Sequence, residues 1–108
     1  MKSLKFREEL VSCVLSGKKY STWRLFDDKN IQKDDEIEFV NANTREVFTR
    51  AVVTKVLERQ MGKLKKEEIK GHEKYGSNEE MYASFSDYYD QSIGPETIVK
   101  IIWFRLKE

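Results

Sequence analysis

The sequence is poor in residues that cross-link a chain or break its helices and strands. It has one cysteine, Cys13, and one proline, Pro95, in 108 residues. A lone cysteine excludes an intramolecular disulfide. With a single histidine, His72, it also excludes the Cys and His sets of a structural zinc site. We therefore expect no metal, no other cofactor, and a reducing, cytoplasmic location.

Long apolar runs are missing as well. No stretch reaches the roughly eighteen apolar residues that a membrane helix needs. The N-terminal segment MKSLKFREEL has basic residues but no apolar run of signal-peptide length, so we expect neither export nor membrane insertion. Lys and Arg number 20 against 19 Asp and Glu, so any electrostatic case for nucleic-acid binding must be local.

Large apolar side chains are plentiful. The chain has six Phe, five Tyr and two Trp, and its hydrophobic fraction is 39%. This is enough to build one hydrophobic core without disulfide or metal cross-links. We expect one domain spanning residues 1–108, and a monomer.

Hydrophobic spacing predicts a short series of helices and strands. Phe6–Ser16 has helical spacing and stops at Gly17, and Ser77 with Glu80 has the spacing of a capping box that opens another helix. The predicted elements in chain order are a helix at 6–16, strands at 20–25, 36–40 and 46–57, helices at 63–70 and from 77, and a central strand at 97–106. This order predicts an α+β domain whose mixed or antiparallel sheet curls into a barrel.

The chain lacks GxSxG, GxxxxGK[ST], GxGxxG and HExxH, the signatures of several common enzyme classes. Side chains that can bind a ligand or take part in catalysis are instead concentrated in one segment at a helix-to-strand junction, Gly17–Arg24, GKKYSTWR. Arginine offers a planar fork for a phosphate or carboxylate, and lysine a point charge or, when desolvated, a general base.

Strand alternation predicts that Tyr20, Thr22 and Arg24 share one face, and that Lys19, Ser21 and Trp23 share the other. One face would then present a hydroxyl beside a guanidinium. The alternative interpretation is purely structural: Lys18 and Lys19 as solvated turn residues, Trp23 in the core, and Arg24 paired with Asp27 or Asp28.

The segment resembles the core motif of ASCH domains, in which GKK is followed by a hydroxyl residue, an aromatic or aliphatic residue and Arg. The resemblance covers nearly the whole chain. It extends to Lys33-Asp34-Asp35, to Gly71-His72-Glu73, and to the helix ending in Tyr88 and Tyr89, with Asp34 standing where the family usually has glycine. It implies a PUA-like β-barrel of about five or six strands with two or three flanking helices.

The same resemblance implies a cleft that binds RNA or a nucleoside-like small molecule. Some family members are small amidohydrolases acting on N(4)-acetylcytidine with a lysine, a threonine and a glutamate, which correspond to Lys19, Thr22 and Glu73. Glu68 is the fallback for the glutamate. Lys19 would take the proton of Thr22, and the glutamate would serve the leaving amine.

The implied ligand-binding residues are Lys18, Arg24, His72 and Tyr75. The leading hypothesis is binding, and the alternatives are amidohydrolysis, RNA cleavage, and a protein-interaction module without ligand chemistry. Structural interpretations stay open beside these: Thr22 as a strand residue, Glu73 as a surface carboxylate, and His72 as a structural histidine.

Overall fold

The computed structural model of the chain describes residues 1–72 and 74–107. In chain order the elements are β1 (Lys2–Phe6), α1 (Glu8–Leu15), β2 (Ser21–Arg24), β3 (Glu36–Asn41), β4 (Val47–Gln60), a 3-10 turn (Met61–Lys63), α2 (Lys66–Ile69), α3 (Asn78–Tyr89) and β5 (Ile98–Leu106).

The five strands form one mixed sheet in the order β1-β3-β4-β5-β2. β1 runs parallel to β3, and the other neighbours are antiparallel. β4 carries a bulge between Val53 and Lys55, which bends the long strand. The result is a half-barrel with β1 and β2 at its two edges, so the α+β, mixed-sheet prediction is confirmed and β5 is an interior strand as expected.

Each face of the sheet has its own apolar cluster, because neighbouring residues of a strand point to opposite faces. Ile102 and Phe104 of β5 join the cluster inside the half-barrel, while Val99 and Ile101 join the cluster beneath α3. The first cluster also takes Leu4 and Phe6 from β1. The strand β5 therefore ties the barrel interior to the helical layer.

Two predicted elements differ from those observed. Phe6 is not the start of the first helix but the end of β1, where it pairs with Asn41 and its ring lies 4.6 Å from that of Phe39. The predicted helix at 63–70 is a 3-10 turn and one short helix, because Leu64 between them has an extended backbone with ψ of 135°. The α3 cap is as predicted, since Ser77 Oγ accepts the Glu80 N–H at 3.1 Å.

Two glycines shape the chain around β2. Gly17 has φ of +82° and ends α1 as predicted. Gly71 has φ of +83°, and a Cβ there would lie 2.4 Å from the Tyr20 ring. The Gly71 carbonyl accepts the N–H groups of Tyr20 and Ser21. This contact fixes the segment that contains His72 against the start of β2.

The loop after β2 is held by a buried ion pair between Asp27 and Lys100 of β5. Lys100 Nζ lies 2.8 Å from Asp27 Oδ2, and the two side chains are 15% and 7% exposed. Asp27 also accepts the N–H groups of Lys29 and Ile31. Burial by itself would raise the pKa of Asp27, but the hydrogen bonds from Lys100 and the two backbone groups outweigh it and hold that pKa below its usual range.

The lowered pKa of Asp27 predicts a specific acid sensitivity. Its stabilising contribution is complete above the pKa of an unfolded-chain aspartate, about 3.9, and is lost as pH falls through the lower folded-state value. Asp27→Asn should lower the free energy of unfolding at pH 7 by about 3 kcal/mol, because it leaves the Lys100 ammonium buried without its counter-charge.

Urea unfolding of wild type and Asp27→Asn between pH 7 and pH 2.5 measures this. The difference between the two proteins should shrink below pH 4 and approach a constant, smaller value. Glu36→Gln, which removes a partly exposed partner of Lys107, is the control and should cost much less than Asp27→Asn. A pH-independent difference for Asp27→Asn would contradict the account.

Candidate functional site

A cleft opens at the gap between the edge strands β1 and β2, beside α1 and α3. Its described lining comes from the end of β1 and the start of α1, from Lys19 and β2, from the segment after α2, and from α3. The lining residues are Lys5, Phe6, Arg7, Leu10, Lys19, Thr22, Trp23, Arg24, His72, Tyr75, Ser84, Phe85, Tyr88 and Tyr89.

Lys19 reaches the cleft because of the turn that follows α1. Beyond Gly17 the chain doubles back, and the Lys19 N–H donates to the Cys13 carbonyl at 3.0 Å. The side chain of Lys19 is buried, with only 4% of the residue exposed, whereas Lys18 is exposed and does not line the cleft. The motif therefore separates its two lysines into one inside the site and one on the surface.

The predicted alternation of faces does not reach Lys19. β2 begins only at Ser21, so the alternation of a strand does not extend back to Lys19, and both side chains line the same cleft. Within β2 the alternation holds: Thr22 and Arg24 share a face, and Arg24 Nε donates to Thr22 Oγ1 at 3.2 Å.

Arg24 also connects the two sheet edges. Its Nη2 donates to the Lys5 carbonyl of β1 at 2.9 Å, and its guanidinium carbon lies 5.0 Å from the centre of the Phe6 ring. The structural interpretation pairs Arg24 with Asp27, but in the structure Asp27 pairs with Lys100. Arg24 is thus fixed in the wall of the cleft beside the Thr22 hydroxyl.

Aromatic rings form the side of the cleft next to α3. The Trp23 ring stacks on His72 with centroids 4.0 Å apart and planes 13° from parallel, and Phe85 lies on a nearly parallel plane 6.2 Å away. Trp23 is core-like in burial, at 4% exposed. His72 is buried too, at 8%, and its ring lies 6.1 Å from that of Tyr75.

Two hydrogen-bond donors in this wall have no acceptor among the described residues. Trp23 Nε1 is fully buried and has no partner within residues 1–72 and 74–107, and an unsatisfied buried donor costs about 1–3 kcal/mol. Tyr89 Oη accepts the Leu25 N–H at 3.1 Å, which leaves its own hydrogen for another acceptor. Burial raises the pKa of Tyr89 above its ordinary value, so the phenol remains a neutral donor at pH 7.

The charges of the lining have one sign. Lys5, Arg7, Lys19 and Arg24 contribute four cations, and none of the lining residues that the structure describes is an aspartate or glutamate. In a chain whose formal net charge is only +1, this is a marked local excess. It favours a ligand with negative charge or with several acceptor oxygens.

Five of the seven residues named from the sequence lie in this lining: Lys19, Thr22, Arg24, His72 and Tyr75. Lys18 does not, and Glu73 falls outside the described residues. Glu68, the fallback glutamate, lies elsewhere. It is buried against Arg59, whose Nε donates to it at 2.8 Å, and it accepts the Lys65 N–H.

Sequence reasoning missed Lys5 and Arg7, because β1 was not predicted and their approach to β2 depends on the strand order. Within residues 1–72 and 74–107, no three His, Cys, Asp or Glu side chains come together as a metal site would require. No helix in those ranges is long and apolar enough to cross a membrane.

No protein-family model matches the sequence, and no curated protein matches it significantly. Solved structures do match. Protein EF3133 from Enterococcus faecalis, described under the family model DUF984, superimposes with a TM-score of 0.75 at 18% identity, over 91% of this chain and 69% of that one. The hypothetical protein PH0355 gives 0.75 at 24% identity, over 99% of this chain and 100% of that one.

An ASCH domain from Lactobacillus crispatus matches with a TM-score of 0.67 at 11% identity, over 88% of this chain and 68% of that one. Identities this low show the fold alone. This chain is therefore similar in fold to solved structures of ASCH domains and of the DUF984 family.

Proposed function

We propose that the cleft binds RNA or a nucleotide, holding one base beside its aromatic wall and phosphate oxygens on its cations. The observation that carries this proposal is the lining itself: four cations, no carboxylate among its described members, and several aromatic rings. Nucleotides combine a planar ring with anionic oxygens, which is the chemistry that such a lining complements.

Each part of the lining has a role in this proposal. Arg24 is oriented by its hydrogen bonds to Thr22 and to the Lys5 carbonyl, so its guanidinium has a defined orientation in the wall that a phosphate would approach. The hydroxyl hydrogen of Tyr89 suits the carbonyl oxygens or ring nitrogens of a base. Tyr75 and Tyr88 offer ring faces for stacking. Lys18, exposed outside the lining, contributes only long-range attraction.

Binding should depend on salt in a way that identifies the contacts. For single-stranded RNA, the logarithm of the association constant falls with the logarithm of salt concentration with a slope of about −0.7 per phosphate contacted. Lys5→Ala and Arg7→Ala should each reduce the magnitude of that slope by about 0.7, because each removes one cation from the mouth of the cleft.

Fluorescence anisotropy with a labelled single-stranded RNA at several salt concentrations gives the slopes. Lys33→Ala is the matched control: it removes one exposed lysine from a loop outside the cleft and should leave the slope unchanged. Equal effects of Lys33→Ala and Lys5→Ala, or binding that does not respond to salt, would argue against the cleft as the binding site.

A second candidate function is amide hydrolysis of an N(4)-acylated cytidine. The specific observation in its favour is a buried lysine, Lys19, in the same cleft as the hydroxyl of Thr22. A lysine serves as a base only in its neutral form, which burial favours. The Arg24 hydrogen bond to Thr22 Oγ1 would also stabilise negative charge that develops on that oxygen.

In the reaction so proposed, Lys19 Nζ takes the proton of Thr22 Oγ1, and that oxygen attacks the acetyl carbonyl carbon. The C–N bond then breaks, and the leaving N4 amine receives a proton, a role for which Glu73 remains the predicted residue. The acetyl group is left as an ester on Thr22. Water then cleaves the ester, so that acetate leaves, one proton of the water returns to Thr22 Oγ1 and the other goes to solvent. The proton held on Lys19 restores the acid that protonated the amine.

Incubating the protein with N(4)-acetylcytidine and separating the products tests this function. Lys19→Met should lower kcat by about 10²- to 10⁴-fold, the usual contribution of a general base. Thr22→Val should remove turnover, while Thr22→Ser, which keeps the hydroxyl, should retain part of it. Absence of turnover in wild type, or full turnover in Thr22→Val, would eliminate the hydrolase and leave the binding proposal standing.

A further inference from the structure

Three aromatic rings continue outward from the cleft. Tyr89 lies in the middle, with Tyr88 at 5.0 Å and 74° on one side and Phe26 at 5.7 Å and 81° on the other. Tyr88 and Tyr89 line the cleft, whereas Phe26 lies outside it, on a neighbouring groove. Phe26 is 56% exposed and Tyr88 52%. We call Tyr88, Tyr89 and Phe26 the aromatic row.

Phe26 occupies a backbone conformation that does not suit its side chain. Its φ is +55°, in the left-handed region where a bulky residue is rare and costs about 1–2 kcal/mol. Burial does not offset this cost, because more than half of the residue is exposed. Glycine or asparagine would adopt the same backbone with less strain. Folding stability alone therefore does not explain a phenylalanine at this position.

Cations accompany the aromatic row on the side toward the cleft. The Arg7 guanidinium lies 5.6 Å from the centre of the Tyr88 ring. Arg24 lines both the cleft and the groove that contains Phe26, so it connects the two. Of the two aspartates that follow Phe26, Asp27 is neutralised by Lys100, and Asp28 is exposed.

We propose that the aromatic row extends the binding surface of the cleft, with Phe26 stacking a nucleotide that flanks the one in the cleft, so that the ligand is single-stranded RNA rather than a free nucleotide. This inference rests on the proposed binding function. Exposed rings beside cations, continuous with a basic cleft, fit a chain of bases joined by phosphates. Arg7 beside Tyr88 and Arg24 between the cleft and the Phe26 groove place cations at the inner part of the row, which favours RNA over a protein partner.

The length of the RNA separates this inference from the function on which it rests. Wild type should bind a trinucleotide or pentanucleotide more tightly than a mononucleotide, because only the longer ligands reach Phe26. Phe26→Asn should weaken oligonucleotide binding by about 5- to 150-fold, the usual contribution of one stacked base, and leave mononucleotide affinity unchanged. Phe26→Trp, which keeps a ring, should bind oligonucleotides at least as well as wild type.

The same substitution gives a second readout that a structural role would not produce. Phe26→Asn should raise the melting temperature, since it relieves backbone strain, while it weakens RNA binding. Val47→Asn is the control: it removes a residue of similar exposure, 47%, from the hairpin strand β4 and should change neither affinity. Asp28→Asn should strengthen oligonucleotide binding modestly at low salt, because it removes a negative charge that would repel the phosphates of RNA bound along the aromatic row.

The outcomes are distinct. Mononucleotide and oligonucleotide affinities that are equal in wild type would overturn the inference and leave a nucleotide-binding cleft. So would a loss of stability in Phe26→Asn accompanied by equal losses for both ligands, because the ring would then be structural. Absence of binding to any RNA or nucleotide would overturn the proposed function itself, and a partner of the aromatic row would then have to be a protein.

Discussion

The guanidinium of Arg24 connects β1 and β2, the two edge strands of the sheet, and the cleft depends on that connection. If β1 and β2 paired directly, their backbone groups would close the barrel and leave no opening. Instead, Arg24 donates to the Lys5 carbonyl of β1 while its Nε holds the Thr22 hydroxyl of β2. Lys29 Nζ similarly donates to the Ser3 carbonyl. These cations occupy acceptors that an exposed edge strand would offer to another chain.

Features that are costly for stability gather around this opening. Trp23 Nε1 is a buried donor without an acceptor among the described residues, and Phe26 has a left-handed backbone. The interior of the half-barrel is different in kind, since its cluster consists of apolar side chains such as Ile37 and Phe39. Natural proteins tend to break the rules of stability where they function, so this distribution supports placing the site at the opening.

Local patterns predicted the parts of the structure that depend on near neighbours. Gly17 ends its helix with a positive φ, Ser77 caps α3, and Thr22 stands beside Arg24 because the two are two positions apart on a strand. The resemblance to ASCH domains, drawn from GKKYSTWR and its surroundings, is confirmed at the level of fold.

The features that could not be predicted from the sequence depend on contacts between distant parts of the chain. The apolar and polar residues of β1 alternate over only five positions, which is too short to distinguish a strand from the start of a helix. Phe6 fits the residue spacing of either one. Only the parallel pairing with β3 reveals the strand and brings Lys5 and Arg7 to the cleft. The turn that carries Lys19 to the same side as Thr22 also lies outside strand alternation.

The most direct measurement of the central claim, that this cleft is the ligand site, is an NMR titration of the indole N–H groups. The chain has two tryptophans, Trp23 in the cleft wall and Trp103 outside its lining. Single Trp→Phe variants assign the two signals. On adding single-stranded RNA, the Trp23 indole signal should shift, because a base and its phosphate occupy the cleft beside the ring, while the Trp103 signal stays in place. A shift confined to Trp103, or saturable RNA binding that leaves Trp23 unchanged, would contradict the account.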